Sequence, residues 1–182
     1  MTAQVWERLT YEGKLFPLLA NPLESYFKQY PPRPSFAPES SANWCGYTAH
    51  WEITEGRLYL VGLSGRICVR SPEDDGHKSS FCGIGHKGEC EIEEVGLSDI
   101  FTPSEGTVVA DWYTGEIRVP HGKMVEYIHL GYASKHERYL MINIVNGLVA
   151  GLRIIGSDEY EKERKIKLKR NARRRRRWWF WK

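Results

Sequence analysis

The 182-residue chain is 41% apolar and 27% charged, the balance of an ordinary globular protein rather than a disordered or fibrous one. The formal net charge of +3 conceals a division: residues 161–182 hold twelve Lys/Arg and two Glu, a charge of +10, which leaves 1–160 at −7. No run approaches the roughly 18 apolar residues of a membrane-spanning helix, and Met1–Arg8 lacks the basic start and apolar run of an export signal. A cytoplasmic protein is therefore expected, with its four cysteines as reduced thiols or metal ligands rather than disulfides. Length and charge together predict a globular domain over 1–157 and a basic, tryptophan-tipped tail over 158–182.

In chain order, residues 4–11 suit a short strand ended by a turn at Glu12-Gly13. A helix start follows: Asn21 as cap, Pro22 at the first helical position and Glu24 three residues after the cap. Leu23, Tyr26, Phe27 and Tyr30 form its apolar stripe, and Pro31-Pro32 stops it before a Pro/Ser-rich extended loop. From Tyr47 the period becomes two, with Ala49, Trp51 and Ile53 in phase. Turns at Glu55-Gly56 and Ser64-Gly65 would divide the following residues into two strands, 57–63 and 66–70. Residues 71–89 read as loop, 91–95 as strand and 97–101 as one helical turn.

Thr107–Trp112 and Glu116–Val119 flank Tyr113-Thr114-Gly115, which suits a three-residue hairpin loop, and 123–130 suits a further strand. The strongest hairpin signal is Asn146-Gly147 between 139–145 and 148–155, because a type I′ turn needs positive φ at both central residues. About nine strands and one good helix predict a mainly β protein (α+β with one short N-terminal helix). Its twisted antiparallel sheet would be closed or doubled into a barrel or sandwich.

Asn43-Trp44-Cys45-Gly46-Tyr47, Ala110–Pro120 (ADWYTGEIRVP) and Tyr127-Ile128-His129-Leu130-Gly131-Tyr132 resemble pieces of a group of small uncharacterised bacterial single-domain proteins. The likeness spans about residues 5–155 and excludes both the Cys/His loop and the Arg/Trp tail. It implies a bacterial, single-domain protein and carries no activity.

Four constellations bear on function. His77, Cys82, His86 and Cys90, with Cys68 upstream, could wrap a zinc ion in a glycine-rich loop, although the paired C-x2-C knuckle is missing. Asp111, Glu116 and His129, with His121, His136 and Glu137 nearby in sequence, could supply a carboxylate–imidazole acid/base pair. No nucleophile elbow, H-E-x-x-H, P-loop or dinucleotide fingerprint accompanies them. For His129, a sheet-face role alternating with Val125 and Tyr127 competes with catalysis. Trp112 and Tyr113, at the expected hairpin tip, are candidates for a surface contact, whereas Trp51 is in phase with core positions.

The tail is the fourth. Lys169, Arg170, Arg173, Arg174, Arg175, Arg176 and Arg177 lead into Trp178, Trp179 and Trp181. Such a charge density resists folding alone. Arginine pairs bidentately with phosphate and indoles stack on exposed bases, so a polyanion is the expected contact, nucleic acid ahead of an anionic membrane or acidic protein. The leading expectation is a non-enzymatic binding module with a polyanion-holding tail and room for a protein partner. The alternative is a small hydrolase using Asp111 and His129 with or without zinc. A third is an immunity-like protein whose acidic body neutralises a basic partner.

Overall fold

The computed structural model describes residues 3–69, 91–102, 106–130 and 132–179. The order is β1 (Glu7–Tyr11), β2 (Lys14–Leu18), α1 (Pro22–Gln29), β3 (Tyr47–Thr54), β4 (Arg57–Val69), β5 (Glu91–Gly96), α2 (Leu97–Ile100), β6 (Val108–Val109), β7 (Gly115–Glu126), β8 (Lys135–Val145), β9 (Leu148–Gly156) and α3 (Ser157–Trp179). The fold is mainly β. One sheet runs β2-β1-β3-β4-β9-β8-β7, with β5 and β6 also paired to β4.

Two expectations about that sheet are corrected. It is mixed, since β1 lies parallel to β3, the long passage through β2 and α1 supplying the crossover a parallel pair requires. It is also not closed into a barrel. Its outer strands approach where the Leu19 amide donates to the Arg118 carbonyl at 3.0 Å, but they share no ladder. The joint between β4 and β9 is a single register pair, Arg57–Leu148.

The type I′ signal holds: Asn146 and Gly147 have φ of 49° and 77°. A Cβ on Gly147 would lie 2.8 Å from the Ala110 carbonyl oxygen, so both conformation and space demand glycine. The turn predicted at Ser64-Gly65 is absent, because β4 continues through it as one thirteen-residue strand. Gly65 serves instead for close approach, with Phe36 and Tyr47 packed where a side chain would stand. β2, which was not expected, contains Pro17 and is accommodated as the outermost strand of the path, where a missing N–H is tolerated.

The main core lies between the sheet and α1, and includes Leu9, Leu23, Phe27, Trp51, Leu60, Ile117 and Ile142. A smaller cluster on the other side of β8 and β9 joins Leu19, Tyr139, Met141 and Ile155 with Tyr160 of α3. β8 faces both, which explains its almost unbroken apolar run from Tyr139 to Val145.

Candidate functional site

The segment before β7 does not form the predicted hairpin. β6 pairs with β4, β7 pairs with β8, and 110–113 fold into a turn closed by the Tyr113 amide on the Ala110 carbonyl. The Gly147 amide then donates to the Tyr113 carbonyl and locks this turn against the β8–β9 turn. Trp112 and Tyr113 are consequently core residues, 8% and 7% exposed, which corrects the expectation of a surface contact. The Trp112 ring packs against Tyr26, Phe101 and Trp51. Its indole N–H donates to the Pro22 carbonyl.

Asp111, exposed beside this turn, lines a cavity of about 420 Å³ with Ser25, Gln29, Tyr30, Trp112, Thr114 and Asn146. Glu116 belongs to different surroundings. It accepts from Arg153 at 2.9 Å and Lys167 at 2.7 Å. Burial pushes its carboxyl up, but those two hydrogen bonds outweigh it and leave the group below its ordinary range.

His129 lies past the other end of β7, in an exposed loop and not on the expected strand; its Nδ1 is paired with the Tyr127 hydroxyl at 3.1 Å. Glu116 and Glu126 stand near opposite ends of β7, and their partners on β8, Asn143 and Lys135, are eight steps apart, a span of roughly 25 Å at strand rise. Asp111, Glu116 and His129 therefore do not share a site. Of the other histidines considered, His136 is buried against Tyr139, and burial followed by the nearby Arg118 charge lowers its pKa.

The predicted zinc set, His77, Cys82, His86 and Cys90, lies outside the described residues. Among those described, no group of three or more His, Cys, Asp or Glu could hold a metal. Cys68 is disulfide-bonded, which corrects the expectation that every thiol is reduced and removes its thiolate as a ligand. Sequence spacing could not show this, because a disulfide depends on the distance between Cα atoms in the fold. Cys45 is free and half-buried. Burial, then the charges of Glu24 and Glu7, raise its thiol pKa, the opposite of an activated nucleophile.

Glu7 stands outside the site residues predicted from sequence. It is 4% exposed on β1 and accepts the Trp51 indole N–H at 2.5 Å. Burial pushes its carboxyl up to about 8 against the opposing pull of that hydrogen bond, with a further push from Glu24. The available signal was its phase: Glu7 alternates with Leu9 on the inward face of the strand. Around it, Asn21 fails as a helix cap, because its side chain instead donates to Cys45 Sγ and accepts from the Tyr132 hydroxyl.

The tail is helical from Ser157 to Trp179, and it is held on the sheet rather than folding alone. Two features stabilise it. Asp158 and Glu159 occupy the first turn, where they complement the helix dipole while the basic residues follow. Tertiary contacts then hold one face at i, i+3 and i+7. Tyr160 packs on Tyr139 and under the Arg118 guanidinium at 4.6 Å. Glu163 accepts from both Arg153 nitrogens at 2.7 and 2.8 Å, and Lys167 reaches Glu116. From Arg164 through Arg173 every side chain is exposed.

No protein-family model, curated protein or solved structure matches the chain.

Among the described residues, no helix is long and apolar enough to cross a membrane.

Proposed function

We propose that the chain is a non-enzymatic binding module, in which the β-sheet body mounts α3 and the basic half of α3 holds a polyanion, nucleic acid being the one we favour. One observation carries the reading. Among the described side chains of α3 the last docking contact is that of Lys167, and the helix continues for roughly 18 Å beyond it. Residues 168–182 contain eight Lys/Arg and no Asp/Glu. A firmly held base followed by an uncompensated basic helix is the arrangement that electrostatic recognition of phosphates requires. The arginine run and Trp178, Trp179 and Trp181 favour nucleic acid, by bidentate phosphate contact and by stacking on bases. The separation of Asp111, Glu116 and His129 supports the non-enzymatic half.

The test compares the full chain with a truncation ending at Leu168, which keeps Tyr160, Glu163 and Lys167, using labelled single-stranded and duplex oligonucleotides. On duplex DNA, log affinity should fall by about 0.9 per neutralised phosphate for each tenfold rise in salt. Engagement of about six cations predicts a loss on the order of a thousandfold between about 50 and 200 mM salt. The truncated chain should fold and not bind. Equal binding by both, or none by the full chain at low salt, overturns the proposal. Replacing Trp178, Trp179 and Trp181 by Ala should selectively weaken single-stranded binding. Loss of binding to anionic vesicles with oligonucleotide binding intact would transfer the role to a membrane surface.

A further inference from the structure

The cavity beside Asp111 has a composition that selects its occupant. Its volume, about 420 Å³, falls in the range of small-ligand clefts. Around its rim stand Ser25 and Gln29 of α1, Tyr30 at the helix end, Asp111, Thr114 and Asn146. No Lys, Arg or His is among them, so an anionic ligand would find no counter-charge.

The internal hydrogen bonds decide what remains. Gln29 donates one Nε2 N–H to the Trp112 carbonyl at 2.9 Å, leaving the second N–H and Oε1 of that amide. Thr114 donates its hydroxyl, and with it its one proton, to Asn146 Oδ1 at 3.1 Å and accepts the Asn146 backbone N–H at 2.9 Å. Asp111 makes no ion pair among the described residues. The unspent groups are thus two carboxylate oxygens, an amide oxygen, the Ser25 and Tyr30 hydroxyls, one N–H of the Gln29 amide and both N–H groups of the Asn146 side chain. Tyr30 adds a ring that is 54% exposed. The set offers acceptors as well as donors, carries one negative charge and no positive one, and includes an exposed aromatic ring.

We propose that this cavity binds a guanidinium group, as an arginine side chain presents it. A guanidinium is planar and positive, carries five N–H donors and no acceptor, and stacks on aromatic rings. A neutral sugar would bring no charge to meet the Asp111 carboxylate. The chain already holds one guanidinium by the same chemistry: Arg33 lies 5.1 Å from the Phe36 ring centroid and 5.9 Å from that of Tyr47. It donates to Glu24 Oε1 and to the Cys45 carbonyl. The acidic balance of residues 1–160 favours approach of such a cation.

The experiment titrates the full chain with argininamide, with the neutral isostere citrullinamide and with glucose, following the side-chain amide resonances of Gln29 and Asn146 by NMR. Saturable shifts are expected with argininamide, and citrullinamide should bind at least tenfold more weakly. Asp111→Asn, at an exposed turn, should abolish the argininamide response while the remaining spectrum stays that of the folded protein. A Gly-Arg-Gly peptide that binds more tightly than argininamide identifies a polypeptide as the source of the arginine; the reverse identifies a small molecule. Equal response to citrullinamide, a response to glucose alone, an unaffected Asp111→Asn variant, or no saturable shift overturns the proposal.

Discussion

Replacing Glu7 by Gln removes one proton-binding site from the core while preserving an oxygen for the Trp51 indole N–H. In the native protein the Glu7 carboxyl is raised from 4.5 to about 8, chiefly by burial. The folded state therefore holds its proton between those limits while the unfolded chain releases it. Stability from this group is complete below the unfolded pKa and is lost as pH rises through the folded one. Each pH unit inside that window costs about 1.4 kcal/mol, so the loss between about pH 5 and pH 7 is on the order of 2.7 kcal/mol. That is a large fraction of the roughly 5–15 kcal/mol that stabilises a typical domain. Urea unfolding of both forms across pH 5 to 9, extrapolated to water, measures it. The native curve should fall toward alkaline pH relative to Glu7→Gln, with the gap opening above the ordinary carboxylate range and levelling beyond about 8. Parallel curves would refute the reasoning, because they would mean that Glu7 titrates alike in both states.

Trp112→Ala should cost about 3–5 kcal/mol in denaturant unfolding, as for a core ring; a change within about 0.5 kcal/mol would return Trp112 to the surface. Gly147→Ala combines a φ of 77° with a Cβ placed 2.8 Å from the Ala110 carbonyl oxygen, whereas Gly13→Ala meets a φ of 69° in open space. Both should lower the melting temperature, the Gly13 variant by the strain of about 1–2 kcal/mol alone and the Gly147 variant by more; equal losses would show that the close approach to Ala110 does not matter. Arg153→Ala removes the shared donor of Glu116 and Glu163 and should lower global stability by about 1 kcal/mol or less. Hydrogen exchange along α3 should nevertheless accelerate, and unchanged protection there would refute the docking role.

The same two carboxyls set an acid limb. Hydrogen bonds from Arg153 lead the lowering of Glu163, and those from Lys167 and Arg153 overcome the burial of Glu116. Their contribution is present above the ordinary carboxylate range and disappears as pH falls below it. Following α3 helicity by circular dichroism from neutral pH toward pH 3 should show a larger loss in the native protein than in an Arg153→Ala variant, each measured against its own neutral state.

Local chemistry in the sequence determined the period-two strands around Trp51, the Asn146-Gly147 turn, the α1 stripe and the charge boundary near residue 160. Each rests on neighbours within a few residues, such as two positive φ values in succession or apolar side chains alternating across one pleat. Pairing was not legible in the same way. Tyr113-Thr114-Gly115 has hairpin composition, yet its flanks found other partners, because strand choice depends on which distant edges bury the most apolar surface. The same competition put Trp112 inside, ran β4 straight through Ser64-Gly65 and drew the Asn21 side chain away from its helix toward Cys45 and Tyr132. The helical tail illustrates the division most fully. Its charge could be counted from composition, but its conformation required Tyr160, Glu163 and Lys167 to meet Tyr139, Arg153 and Glu116 across a sheet. A cavity that leaves acceptors unspent is likewise a property of tertiary structure, since a hydrogen bond made elsewhere decides which atoms of Gln29 and Asn146 remain free.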